Sequence, residues 1–367
     1  MKLSYAEQLK QKASSLAARL KPVFSALPEF EPLFPDGVSP RGFRQKAAFV
    51  FGTDRRGRLV MGHYARASNM VVPIAECPVH SARANRIAFA LRDHLMRAGI
   101  AAAGATRGGV LRHLLIRTSQ DDQQAVAMLV VTDNDRSLRR PVRALLDSAE
   151  RPDGFFINIH DEPGPFMVGP ESLRIDGQRH VRETINGMSF LVSPTAFFQT
   201  NALAAAGLQR LVVSGAGGGR VLDLYCGGGL FSLALARDSK RVVGIEENVQ
   251  AVRDAEANAQ INGIERGRLR FIRARVEDGL DQAGREPWDA VVLDPPRQGC
   301  PPDVIDEIFN GLHPERAVYV SCNPDALAAE LPSILQAGYR INDLRIVDMF
   351  PHTEHIETVV LLSRTSA

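Results

Sequence analysis

The sequence predicts an α/β chain in which a smaller α+β domain precedes a doubly wound sheet whose last strand runs antiparallel. Three observations carry this. After Pro194, the strand candidates RVLDLY, RVVGIE, LRFIRA, AVVLD and AVYVS each lead into helical or loop sequence, the alternation of a parallel sheet with helices on both faces. The final candidates, RINDLRIVDMF and IETVVLLS, are joined by a loop too short for a parallel crossover, so the last strand must reverse. Before Pro194, short apolar β-rich segments dominate: AAFVFG, NMVVPIA, LRHLLIRTS, AVAMLVVTD, GFFINIH and MSFLVS, interrupted by helical stretches near 80–98 and 136–149.

The remaining elements follow in order. Residues 5–20 form one amphipathic helix, and a proline-rich connection runs from Pro22 to Pro40. A helix is expected over 195–214, with SGAGGG as the turn that leads into the first parallel strand. The expected organisation is therefore 1–40 as helix and connection, 41–192 as the α+β domain, and 193–367 as the doubly wound domain. A Rossmann-like parallel sheet closed by an antiparallel last strand is the usual architecture of class I methyltransferases.

Composition excludes several classes. A hydrophobic share of 45% and a charged share of 23% describe an ordinary globular chain, and a net charge of +2 means that any nucleic-acid signal must be local. The longest apolar run, Ala125 to Val131, falls far short of the ~20 residues that span a bilayer. The start MKLSYAEQLKQK has no signal-peptide core, and Cys77, Cys226, Cys300 and Cys322 form no CxxC pair. A reducing, cytoplasmic setting is expected, with no membrane and no obligate protein partner.

In a doubly wound sheet the ligand site lies at the carboxyl ends of the parallel strands, which here carry Asp223, Glu246, Glu277 or Asp278, Asp294 and Cys322. Gly227-Gly228-Gly229 opens a helix, so backbone N–H groups can approach a ligand there. Glu246, ending the second strand, can accept both ribose hydroxyls of an adenosine. The glycine loop alone is compatible equally with nicotinamide and with S-adenosylmethionine. The DPPR segment and the terminal hairpin break the tie, since a dehydrogenase needs neither. Cys226 reads as a small buried filler.

Uridine C5 is a poor nucleophile. A thiolate added at C6 turns C5 into an enolate carbon able to attack a sulfonium methyl, and a base must then remove the C5 proton so that the cysteine can leave. Cys322, in Ser321-Cys322-Asn323-Pro324, lies between a buried strand and a helix start that would lower its pKa; its alternative is a packed thiol. Glu357 opens the antiparallel strand at the same edge; its alternative is a solvated carboxylate. Asp294-Pro295-Pro296-Arg297 makes a rigid loop suited to clamping a planar base, or a simple stiffened turn; exocyclic-amine methylating enzymes share its DPP.

FFQTN (197–201), DLYCGGG, DPPRQGC, SCNP and FPHTEHIETVVLL together resemble the RNA uridine-C5 methyltransferase family, with Phe43-Arg44-Gln45-Lys46-Ala47, NMVVPIAECP and Leu111-Arg112-His113 resembling its central domain. The resemblance spans nearly the whole chain. It implies Cys322 as nucleophile, Glu357 as base, and Gln199, Tyr225, Glu246 and Asp294 around cofactor and base. There are three departures. Leu230 stands where the family often has asparagine, removing one polar cofactor contact. Of the four cysteines that hold an iron–sulfur cluster in many members, Cys77 alone has a counterpart, so no cluster is expected. Nothing corresponds to the N-terminal RNA-binding barrel of some rRNA enzymes. The layout is similar to clusterless tRNA enzymes while HIETVVLL is similar to rRNA and mixed-specificity members, so rRNA and tRNA both stay open as substrate.

From Arg41 to Ala67 seven Arg or Lys residues oppose Asp54 alone and are interleaved with Phe43, Phe49, Phe51 and Tyr64. Such a stretch suits phosphate contact and base stacking, or is a hairpin with solvated arginines. Phe43, Arg44, Lys46 and Arg297 are the substrate-binding candidates, the partner being structured RNA. A second basic stretch at Arg136, Arg139, Arg140 and Arg143 reads as a solvated helix face. Two other functions fit less well: a silent RNA-binding paralogue, disfavoured by intact Cys322 and Glu357, and a cytosine-C5 methyltransferase, which lacks the arginine after DPP and carries a PC dipeptide in that loop.

Overall fold

A capping box starts the first helix, α1 (Tyr5–Leu20). The Ser4 hydroxyl accepts from the Glu7 N–H at 3.3 Å, and the Glu7 carboxylate accepts from the Ser4 N–H at 2.7 Å. The computed structural model describes residues 3–23, 32–35, 38–104, 108–162 and 167–365, so most of the proline-rich connection lies outside the described residues. Packing divides the chain into two units. One comprises residues 1–40, 184–191 and 196–367; the other comprises 41–183 and 192–195.

The second of these is built on β1 (Lys46–Thr53), β2 (Leu59–Tyr64), β3 (Val71–Pro73), α2 (Ala82–Arg97), β4 (Leu111–Thr118), β5 (Ala125–Val131), α3 (Arg139–Leu146), β6 (Gly154–Ile159) and β7 (Glu171–Gly177). Its sheet has the order β3-β2-β1-β4-β5-β6-β7, antiparallel except for β5 and β6. All seven residues of β5 are buried, as its unbroken apolar run requires of a central strand. Ile87, Leu91 and Leu95 of α2 and Val142 and Leu145 of α3 complete the core against Phe49, Leu114 and Leu129. A hairpin follows, β8 (Val181–Ile185) and β9 (Met188–Val192), turned by Asn186 and Gly187 at φ 47° and 73°, the conformation that favours Asn-Gly.

The other unit continues with α4 (Ala202–Ala216), β10 (Arg220–Leu224), α5 (Leu230–Asp238), β11 (Arg241–Glu246), α6 (Val249–Ile261), β12 (Leu269–Arg273), α7 (Val276–Ala283), β13 (Ala290–Leu293), α8 (Pro302–Asp306), β14 (Arg316–Ser321), α9 (Pro324–Gln336), β15 (Tyr339–Val347) and β16 (Glu357–Arg364). The sheet order is β12-β11-β10-β13-β14-β16-β15, with β16 antiparallel to β14. The expected reversal of the last strand is present. The helix expected over 195–214 starts later, because the Asn201 side chain caps Ala204 N–H at 3.2 Å and leaves 195–201 as a loop.

α1 belongs to this unit. Leu16 and Leu20 are wholly buried in the core that holds Leu331 and Ile346. Lys12, 5% exposed, makes a 2.7 Å ion pair with the fully buried Asp348 and donates to the carbonyls of Phe350 and His355, both at 2.9 Å. Tyr5 Oη also donates to Asp348, at 2.6 Å. The first helix thus fastens the loop between β15 and β16.

Candidate active site

The register of the closing strands brings Cys322 and Glu357 to one edge of the sheet. Ser321 of β14 faces Thr358 of β16 across an antiparallel ladder, so the next residues outward are Cys322 and Glu357. Glu357 is buried at 4% exposure, and its Oε2 has no hydrogen-bond partner. Burial raises its pKa well above the ordinary carboxyl value, and Asp294 adds to the rise while Arg297 opposes it. Asp294, just beyond β13, is pushed up to about 7 by burial and then by Asp223.

Cys322 is partly exposed, and Asn323 caps α9 immediately after it. The helix start does not lower the thiol pKa as expected. Burial, followed by the Glu357 and Asp294 carboxylates, pushes it up to about 11, and Arg297 offsets only part of this. Near neutral pH Cys322 therefore rests as a protonated thiol. Asn323 Nδ2 donates to the Arg297 carbonyl at 2.7 Å, tying the SCNP turn to the DPPR loop, whose own turn closes with Gly299 N–H on the Pro296 carbonyl at 2.8 Å.

On the other side of β13 lies the glycine loop. Tyr225 has φ 62°, a left-handed conformation rare for an aromatic residue and typical of a functional turn. Gly227 and Gly229 take φ 53° and 86°. Glu246 accepts from Gly227 N–H at 3.0 Å through Oε2 and from Asn248 N–H at 2.8 Å through Oε1, leaving each oxygen a further lone pair. Asp223 is fully buried and accepts from the Ser232 hydroxyl; burial pushes its pKa up to about 7. Asp223 Oδ1 is buried without a partner, a fit for a ligand that brings its own polar groups, and the Tyr225 hydroxyl faces the Cys300 thiol. Leu230 is buried, and its carbonyl accepts from Gln209 Nε2 at 2.7 Å. Cys226 is a buried thiol, as read from sequence.

Gln199 is 7% exposed in the loop before α4, which Asn201 Nδ2 anchors to the Met349 carbonyl at 3.2 Å. Two features escaped the sequence reading. Phe197 is 62% exposed, and a Cβ added at Gly227 would lie 3.6 Å from its ring, so an open aromatic face stands beside the glycine loop. The paired phenylalanines of FFQTN were the available signal. The second is a cavity of about 580 Å³ beside Cys322, walled by Gln8, Gln11, Ser15 and Arg19 of α1 together with Arg297 and Glu354. No local pattern says that a helix so distant in sequence lines the same cavity as Cys322.

In the 41–183 unit the substrate candidates fare differently. Phe43 is buried, as are Phe49 and Phe51, so these rings are packed rather than offered to bases. Lys46 is half-buried, and burial with Arg117 and Arg44 nearby brings its ammonium pKa down to about 7. Arg44 Nε donates to the Lys46 carbonyl at 3.0 Å. Arg55, Arg56 and Arg58 at the β1–β2 turn are exposed, as are Arg41 and Arg66, with Arg58 paired to Asp54 at 2.8 Å.

A parallel sheet with an antiparallel closing strand, acidic strand ends and a glycine loop defines a class I, S-adenosylmethionine-dependent methyltransferase. The chain belongs to the tRNA (uracil-5-)-methyltransferase family, whose model matches residues 170–365. It is 38% identical to an RNA methyltransferase of Gloeobacter violaceus over 345 residues, 93% of this chain and 74% of that protein. Another, from Caldanaerobacter subterraneus, is 32% identical over 89% of this chain and 73% of its own length. The crystal structure of Pyrococcus abyssi tRNA (uracil-54, C5)-methyltransferase in complex with S-adenosyl-L-homocysteine is similar with a TM-score of 0.80 at 26% identity, covering 98% of this chain and 84% of that one. No described helix is long and apolar enough to cross a membrane.

Proposed function

We propose that the chain methylates C5 of a uridine in rRNA or tRNA through a covalent adduct at C6. The observation that carries this reading is the register that sets Cys322 against Glu357 at the cofactor edge of the sheet. Bound S-adenosylmethionine supplies an electrophilic methyl group. Glu246, Asp223, Tyr225, Gln199 and the Gly227–Gly229 loop hold it, and the exposed ring of Phe197 stacks beside the loop.

Cys322 would give up its proton to solvent and its sulfur would bond to C6, opening the C5–C6 double bond and placing the electron pair at C5. That carbon would take the methyl group while the broken bond's electron pair stays on the cofactor's sulfur. Glu357 removes the C5 proton, and the C5–C6 double bond re-forms as the Cys322 sulfur leaves. The unpartnered Oε2 and raised pKa of Glu357 suit a base that must hold a proton near neutral pH. Arg297, on the DPPR loop, clamps the base. Residues 41–192 serve as the RNA-contacting domain, through the exposed arginines of the β1–β2 turn rather than through Phe43 or Lys46. The four cysteines are free thiols, in keeping with a cytoplasmic setting.

Mass-spectrometric mapping of 5-methyluridine in tRNA and rRNA from cells with and without the gene tests the reading. Loss of 5-methyluridine at a defined position is expected. An unchanged 5-methyluridine map, or loss of 5-methylcytidine instead, would overturn it.

A further inference from the structure

We propose that His63, Cys77 and His80 form a mononuclear site for a first-row divalent cation of borderline softness, zinc(II) by its donor set. The inference is independent of the methyltransferase reading. One ligand atom from each residue lies within 4.8 Å of the other two. Tetrahedral zinc, with bonds of about 2.0–2.3 Å, wants its ligand atoms somewhat closer than this, a gap that side-chain rotation can close. No carboxylate belongs to the group. Two imidazoles and a thiolate discriminate against magnesium and calcium, and three protein ligands leave a fourth position open.

The frame is built for it. His63 comes from β2, in register with Val72 of β3. Cys77 is clamped by Asn85 of α2, whose Oδ1 accepts from the Cys77 N–H at 3.1 Å and whose Nδ2 donates to the Cys77 carbonyl at 3.0 Å. His80 N–H donates to that same carbonyl at 3.2 Å, a turn that brings Cys77 and His80 together. Phe49 packs on both imidazoles, stacked on His63 at 5.7 Å and edge-on to His80 at 5.0 Å.

The independent observation is His80 itself. It is 5% exposed, and its Nδ1 has no hydrogen-bond partner. A buried ring nitrogen without a partner is costly, and a metal–nitrogen bond would satisfy it. Arg44 is the cation nearby that opposes a bound dication. Binding releases the Cys77 thiol proton, and the resulting thiolate cancels one unit of that charge.

Cobalt(II) titrated into the chelator-treated full chain tests the site by absorption. A thiolate-to-cobalt charge-transfer band saturating at one metal per chain is expected, with tetrahedral ligand-field bands that zinc(II) abolishes. Cys77→Ser should lose the charge-transfer band. His63→Gln, at a half-buried position that a fold tolerates more easily, should keep the band and bind at least roughly tenfold more weakly. The assignment is overturned if wild type shows no charge-transfer band, if Cys77→Ser retains it, or if His63→Gln binds as wild type does. Iron with acid-labile sulfide in stoichiometric amounts would also overturn it, in favour of a cluster.

Discussion

Cys322 and Glu357 each lie one residue beyond the Ser321–Thr358 pair that joins the antiparallel strands β14 and β16, so the strand register brings both to one edge of the sheet. Separate roles for the two should therefore be separable by mutation. Cys322→Ala should abolish both methylation and trapping by 5-fluorouridine RNA. Glu357→Gln should methylate once and stall, so that a denaturation-resistant adduct with unsubstituted RNA accumulates on gels. Glu354, exposed on the cavity wall, is the rival base; trapping by Glu354→Gln with normal turnover in Glu357→Gln would reverse the assignment.

The protonated thiol has its own signature. Alkylation of Cys322 by iodoacetamide follows the thiolate fraction, so its rate should rise toward a midpoint near pH 11. Removing the anion in Glu357→Gln should move the midpoint down, and removing the cation in Arg297→Gln should move it up. Peptide mass spectrometry of the labelled cysteine reads both shifts, and a midpoint that ignores both changes contradicts the electrostatics described for this site.

Glu246→Ala should weaken S-adenosylmethionine binding by ~1–3 kcal/mol, the range for hydrogen bonds to a charged group. Because Glu246 also holds Gly227 N–H, the variant should loosen the glycine loop as well. Calorimetry with unchanged affinity would remove this residue from the cofactor site.

Lys12→Ala leaves the buried Asp348 with its Tyr5 hydrogen bond but no countercharge, which costs about 3–5 kcal/mol. Urea denaturation measures it. The same variant should lower kcat, since the freed loop leads directly into Glu357; stability lost with kcat intact would confine Lys12 to a structural role.

RNA affinity should depend on the exposed turn. Replacing Arg55 and Arg56 by serine should reduce the log–log salt slope by about one unit per lost phosphate contact. Arg44 and Lys46 replaced together should change the slope less, because Lys46 is partly desolvated and close to neutral. Equal slopes for wild type and the Arg55/Arg56 variant would return that turn to ordinary solvated surface.

Much of this was legible because it is local. Apolar runs such as AVAMLVV and AVYVS announce buried strands, and the brief connection before Glu357 dictates its direction. β7, ESLRIDG, is largely exposed and alternates over only Leu173 and Ile175, too short a pattern to announce a strand. LVMGHY, β2, is half-buried and was also passed over. The start of α4 was misplaced by ignoring Asn201 as a cap. At Cys322 burial, and then two carboxylates from elements distant in sequence, outweigh the helix start that the local sequence shows. The burial of Lys12 against Asp348 has no sequence signature at all, since a lysine on an amphipathic helix is ordinarily solvated.

The fastening of α1 to the β15–β16 loop also bears on biosynthesis. Tyr5 and Asp348 are 343 residues apart, so the helix emerges from the ribosome long before its partner exists. At about 5–20 residues per second that interval is on the order of tens of seconds. Throughout it Leu16 and Leu20 lack the core that later buries them, and the nascent chain offers an apolar helical stripe to chaperones. The loop that leads into Glu357 is fastened only once the segment around Asp348 has been made and has reached α1.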